Sequence, residues 1–152
     1  MELRWDDSYN IGVPQIDEQH KRLFAIIDEL TIALRQGKGT QIIANTFARL
    51  ADYTHYHFES EEFIMQRYNY PRIDEHKTMH VEFKRSLAIL ISRWQDGEMM
   101  VNVDTYNTLR DWIREHVTSH TRNADQSLGI FIRLHPDGVN THRAPEDNDP
   151  EA

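Results

Sequence analysis

The chain has no cysteine in its 152 residues. Disulfides, thiolate zinc sites, iron–sulfur clusters and cysteine nucleophiles are therefore excluded. Basic residues are outnumbered: 17 Lys and Arg stand against 25 Asp and Glu, a formal net charge of -8. Nucleic-acid binders carry a basic footprint and anionic membrane surfaces attract basic segments, so neither is an expected partner. Long apolar runs are missing too. The longest, Leu-Ala-Ile-Leu-Ile at 87–91, is far short of the roughly 20 residues that span a bilayer, so no membrane insertion is expected. Residues 1–9 contain no apolar stretch of the signal-peptide kind, and a cytoplasmic protein is the expectation. No segment alternates polar and apolar residues long enough to make a strand. What the chain does have is nine histidines, on a length that suits one domain with its own core.

Helical periodicity recurs in four blocks. The first covers about 17–36, with Asp17 as its N-cap and Leu23, Phe24, Ile27, Leu30 and Leu34 on one stripe. Gly37-Lys-Gly39 ends it. The second covers 40–67, with Ile43, Phe47, Leu50, Thr54, His57, Glu61 and Ile64 stepping by three or four, up to the break at Asn69-Tyr-Pro71. The third covers 73–95, with His76, His80, Phe83, Leu87, Leu90 and Trp94 on its stripe, up to Asp96-Gly97. The fourth starts near Asn102 or Asp104 and runs to 134 through Tyr106, Leu109, Ile113, His116 or His120, and Leu128. Short turns make neighbours antiparallel. The expected fold is all-α, an up-down-up-down antiparallel four-helix bundle behind an N-terminal arm. The bundle domain takes residues 1–134. Residues 135–152, polar and holding three of the five prolines, read as a disordered tail. A closed bundle points to a monomer.

The stripes of the middle helices carry more than a core needs. His57 and Glu61 are four apart on one apolar face, and so are His76 and His80 on the next. Such pairs stack on one side of a helix and can bind one metal or two adjacent ones. His20 lies among the apolar positions of the first helix, and His116 and His120 lie on or beside the face of the fourth. In an up-down bundle all of these fall at one end. A lone histidine on an apolar face is most often a core residue bonded to a carbonyl. Several converging at one depth are not independent accidents, and buried polar groups need satisfaction that a metal supplies together. The donor set exceeds the four ligands of a structural zinc. Glu-x-x-His, the mark of the ferritin-like di-iron sites, is absent, as is His-Glu-x-x-His. A histidine-dominated di-iron site remains.

Several segments are shared with a known family. Trp5, Ile11-Gly-Val13 and Ile16-Asp-Glu-Gln-His20-Lys-Arg-Leu-Phe24 open the match. His57-Phe-Glu-Ser-Glu61-Glu-Phe-Ile-Met65, Tyr70-Pro71 and His76-Lys-Thr-Met-His80-Val-Glu-Phe83 continue it. Leu109-Arg-Asp-Trp112-Ile-Arg-Glu-His116-Val117 closes it. Over about residues 5–120 the chain resembles the hemerythrin family, specifically the bacteriohemerythrins. That resemblance implies two non-haem Fe ions joined by an oxo or hydroxo group and reversible binding of dioxygen. One iron would take His76, His80 and a histidine of the fourth helix, and the other His20 and His57. Glu61 would bridge them, with a second bridge from an aspartate five residues after the fourth-helix histidine. The second iron would keep an open position for dioxygen. Leu23, Phe24, Phe58, Trp112 and Ile113 are candidate walls, although plain core packing explains each one singly.

The fourth helix departs from the pattern. Trp112 selects His116 as the ligand, but Thr121 stands where aspartate should follow. His120 and Asp125 restore the spacing and precede Leu128-Gly129, as if about one helical turn had been inserted. On an ideal helix His116 and Asp125 lie on opposite sides. The upstream match favours His116, and completion of the second bridge favours His120 with Asp125. The former is preferred, with a π-bulge as the device that would bring Asp125 round. His55 reads as a non-ligand, His135 and His142 as solvated residues of the terminal segment, and Glu59, Glu62, Asp74 and Glu75 as surface charge. The leading expectation is a dioxygen-binding protein for storage, delivery or sensing, and not an enzyme. A di-iron peroxide or nitric oxide enzyme is the first alternative, and an iron storage or sensing protein the second.

Overall fold

The computed structural model describes residues 3–137. The greater part of the expected tail, 138–152 with His142, lies outside the described residues. Four rods pack as an antiparallel bundle, with no strand among the described residues. The first rod is α1 (Pro14–Arg35), the second α2 (Thr40–Arg67) and the third α3 (Ile73–Gln95). The fourth is composite: α4 (Val103–Glu115), a π-helical segment (His116–Asp125) and α5 (Gln126–Leu134).

The breaks have local causes. Gly37 and Gly97 take positive φ of 70° and 75°, and Asn69 reaches 50°. All three suit residues that tolerate the left-handed region. Asn102 caps α4 by accepting from the N–H groups of Asp104 and Thr105 at 3.1 and 3.0 Å. The expected start of the first helix needs correction. It begins at Pro14, whose fixed φ suits a first turn, so Asp17 is not the cap. Asp17 is buried, and its carboxylate accepts from Ile11 N–H at 2.7 Å and Gly12 N–H at 3.2 Å. It thereby ties the arm to the helix.

The main core joins Leu23, Phe24, Ile27 and Leu30 of α1 to Ile43, Phe47 and Leu50 of α2, Leu87 of α3, and Leu109 and Ile113 of α4. The arm is fastened at the other end. Gln126 donates to Asn10 O at 2.8 Å, and Arg133 donates to Ile11 O at 2.8 Å. Gly129 lies against the backbone of Ile11, and any Cβ there would run into the Ile11 carbonyl oxygen. Glycine is needed at 129 for this close approach rather than for an unusual φ. Gly129→Ala must push arm and α5 apart, and is expected to cost about 3 kcal/mol, the upper part of the overpacking range. Urea unfolding of the metal-free chain measures it; a change under about 0.5 kcal/mol would mean that the arm yields freely.

Candidate metal centre

Seven histidine and carboxylate side chains meet at one end of the bundle, all essentially excluded from solvent: His20, His57, Glu61, His76, His80, His120 and Asp125. His116 is buried beside them. Each comes from the place its helix dictates. His20 lies in the second turn of α1, and His57 with Glu61 in the second half of α2. His76 with His80 opens α3, and the rest come from the π-helical segment.

Two groups form around the carboxylates. His76 Nε2 and His80 Nε2 lie 3.0 and 2.9 Å from Glu61 Oε2, and each is 3.1 Å from His120 Nε2. Asp125 Oδ1 lies 3.1 Å from His76 Nε2 and 3.0 Å from His120 Nε2. On the other side, Glu61 Oε1 lies 3.0 Å from His57 Nε2, and Asp125 Oδ2 lies 3.1 Å from His20 Nε2. Each carboxylate thus turns one oxygen to each group. Ligands at right angles around a metal with bonds of about 2.1 Å sit about 3 Å apart, which is this spacing. Both oxygens of Asp125 and Oε1 of Glu61 are buried without a hydrogen bond, as are His57 Nε2 and both ring nitrogens of His116. Buried lone pairs aimed at one another are costly, and a cation satisfies them together. The residues present therefore fit a metal pair.

The outward nitrogens of two rings are held by partners that sequence reasoning passed over. His57 Nδ1 meets Gln19 Oε1 at 2.8 Å, and Gln19 Nε2 donates to Ser60 Oγ at 3.1 Å. His80 Nδ1 meets Glu62 Oε1 at 2.9 Å. Glu62 is therefore not mere surface charge. Its chain is only partly exposed, and it orients a ring whose Nε2 faces the centre, the usual duty of such a partner. Nothing in the sequence marks either: Gln19 adjoins His20 and Glu62 adjoins Glu61, but successive helical residues point in different directions, and each partner meets a ring on another helix. Phe58 stacks on His80 with centroids 3.8 Å apart, and Tyr53 stacks on His57 at 5.1 Å. Of the candidate walls, Leu23, Phe24, Phe58, Trp112 and Ile113 are all buried. His55 is exposed and pairs with Glu59 at 3.4 Å, away from the site. Glu75 holds Arg72 at 2.7 Å on the surface. His135 is half-buried rather than solvated: its Nδ1 bonds to Phe131 O at 3.0 Å.

The fourth rod resolves the competition of registers by its winding. A π turn closes over five residues instead of four, so positions four to five apart come onto one side. His116, His120 and Asp125 all turn inward. His120 and Asp125 join the carboxylate groups, while His116 offers a ring nitrogen within 4.8 Å of nitrogens on His20 and His57, its ring centroid lying 5.2 Å from that of His120. Buried Thr121 brings its hydroxyl to 3.5 Å from His20 Nε2. Polar side chains loosen the helix here: Asn123 donates to Ser119 O at 3.0 Å and Thr118 to Arg114 O at 2.9 Å.

Charge at the centre is finely opposed. Burial disfavours protonation of His76, yet the carboxylates of Asp125 and Glu61 beside its ring outweigh burial and raise it to about 9. Burial likewise acts against His120, and the nearby charges of Asp125 and Glu61 carry it to about 10. Burial would raise Glu61 and Asp125, but the histidines around them hold both well below the usual carboxylate range. His57 and His116 go the other way, lowered by burial, and His116 further by His120 and His57.

Over residues 11–121 the sequence matches the family model described as the hemerythrin HHE cation binding domain. The chain belongs to the hemerythrin family. A bacteriohemerythrin of Pseudomonas aeruginosa (strain UCBPP-PA14) is 36% identical over 131 residues, 86% of this chain and 82% of the relative. One from Methylococcus capsulatus (strain ATCC 33009 / NCIMB 11132 / Bath) is 34% identical over 108 residues, 71% of this chain and 80% of that one. A crystal structure of wild-type hemerythrin superposes with a TM-score of 0.71 at 28% identity, covering 87% of this chain and 98% of its own. The hemerythrin match ends at Thr121, inside the π-helical segment and before Asp125. No helix among the described residues is long and apolar enough to cross a membrane.

Proposed function

We propose that this hemerythrin-family chain holds two non-haem irons and binds dioxygen reversibly, as a store, carrier or sensor rather than an enzyme. The observation that carries the reading is the division of the carboxylates: Glu61 and Asp125 each give one oxygen to the His76/His80/His120 group and the other to the His20/His57 group. When bound, a pair of irons supplies one electron from each metal to dioxygen. The protein's part is to place and to exclude. His76, His80 and His120 would hold one metal, His20 and His57 the other, and Glu61 and Asp125 would join them. Gln19 and Glu62 fix the tautomer and aim of His57 and His80. Phe58 is fully buried against the rings of His80, His116 and His120 and keeps bulk water out, which would favour release of dioxygen unchanged over its loss in reduced, protonated form.

Replacing an outward partner should loosen the metals without removing a ligand. Gln19→Leu and Glu62→Leu are each expected to weaken metal affinity by about 10- to 100-fold. Competition with a chelator of known affinity measures it, and unchanged affinity in both would show that the rings need no such support. The function itself is tested by loading the metal-free chain with ferrous iron under anaerobic conditions, counting iron, and recording the spectrum through cycles of oxygen addition and removal. A visible band that appears with oxygen and disappears on its removal is expected. Irreversible oxidation in one cycle overturns reversible carriage, and steady consumption of peroxide or nitric oxide would make the chain an enzyme instead.

A further inference from the structure

The resemblance to hemerythrins assigns two histidines to the second metal and leaves it an open position. This chain brings a third histidine there. His116 is 1% exposed, and neither of its ring nitrogens has a hydrogen-bond partner. One nitrogen of the ring lies within 4.8 Å of nitrogens on both His20 and His57; the ring belongs neither to the His76/His80/His120 set nor to the group that His20 and His57 form with Glu61 and Asp125. The ring is not free to turn elsewhere. Phe83 meets it edge-on at 4.9 Å, and Phe58 and Trp112 lie roughly parallel to it at 5.6 and 6.4 Å. Trp112 is itself pinned by its Nε1 donating to Ser86 Oγ at 2.7 Å.

We infer that His116 is a third imidazole ligand of the second metal. Each metal then has three histidines, His76, His80 and His120 on one and His20, His57 and His116 on the other, with Glu61 and Asp125 between them. The chemistry of the donors supports this. Both nitrogens of His116 are buried without a hydrogen-bond partner beside two rings that already face Glu61 and Asp125, and a cation there would satisfy the unpartnered imidazole. The three nitrogens lie within 4.8 Å of one another, against the roughly 3 to 4 Å that metal–nitrogen bonds of about 2.1 Å set, so a metal bound there would draw the three rings together. The consequence is a gated site. A small exogenous ligand, dioxygen included, reaches the second metal only by displacing His116. The π winding that admits both His116 and His120 is then the source of the gate.

The inference rests on the two-metal reading, and its test separates the two. The full chain, labelled with nitrogen-15 at histidine, is loaded with cadmium-113, and scalar coupling between metal and ring nitrogens is recorded by NMR. Coupling to six histidines, His116 among them, is the expected result. Coupling to His20, His57, His76, His80 and His120 without His116 overturns the inference and leaves the two-metal reading standing. No coupled histidines on both sides of Glu61 would remove the reading itself. The functional consequence is read on the cobalt(II)-loaded chain by azide titration. His116→Leu is expected to bind azide at least about tenfold more tightly than the unaltered chain. Equal or weaker binding would place His116 above the metal as a hydrogen-bonding neighbour and overturn its role as a ligand.

Discussion

Glu61→Gln is expected to reduce the metal content from two per chain to at most one, and to weaken what remains by about a hundredfold or more, beyond the loss typical of outer partners. The substitution preserves shape and volume, so packing around this buried side chain is undisturbed. What changes is one oxygen. Glu61 Oε2 sits 3.0 and 2.9 Å from His76 and His80, and Oε1 sits 3.0 Å from His57. An amide keeps one acceptor and replaces the other by an N–H donor, which turns a positive edge toward one metal position whichever way it is flipped. The side chain also loses its negative charge, which offsets the charge of two cations in a dry interior. Metal analysis after anaerobic loading and desalting reads the outcome. Full retention of both metals in Glu61→Gln would show that Asp125 alone can bridge them and that Glu61 is only a neighbour.

Without metal, the chain should lose stability as the solution turns alkaline. The folded values of His76 and His120 are raised from 6.5 to about 9 and about 10. A group raised in the folded state stabilises fully below its unfolded value and ceases to do so as pH climbs through its folded one. Stability of the metal-free chain is thus expected to decline from about 6.5 upward to about 10. Glu61 and Asp125 are lowered, so their contribution is present above 4.5 and 3.8 and fades toward acid. His57 and His116, lowered by burial, add to the acid-side loss below 6.5. Metal binding replaces the protons on His76 and His120, so the loaded chain should show no alkaline decline over the same range. Urea midpoints across pH, with and without metal, test this. A metal-free chain as stable at pH 10 as at pH 6.5 would mean that no protons are held in the cluster.

Much of this was readable in the residues, and the exceptions have identifiable causes. The second and third helices begin and end where Thr40, Arg67, Ile73 and Gln95 were expected, because glycine, asparagine and proline punctuate the chain on either side. The start of the first helix was missed by three residues, since the partner of Asp17 is the arm, and the arm's path is set by contacts with α5 more than 100 residues away. The i, i+4 pairs gave the direction of His57, Glu61, His76 and His80 without further knowledge. The fourth rod could be seen to be irregular from the spacing of His116, Thr121, His120 and Asp125. Its outcome was readable in part: a π-bulge was the device expected to bring Asp125 round, but α geometry makes the two registers exclusive, and only the wider winding over residues 116–125 lets both histidines face inward. Gln19 and Glu62 were hidden by their polarity: either would pass as surface until the ring nitrogen each one meets is in place.

The most direct measurement is anomalous diffraction at the iron edge from crystals of the iron-loaded chain. Two peaks between Glu61 and Asp125 are predicted, one beside His76, His80 and His120 and the other beside His20 and His57, separated by about 3.5 Å as in other paired metal sites. A single peak, or peaks lying away from these side chains, would contradict a carboxylate-bridged pair in this bundle.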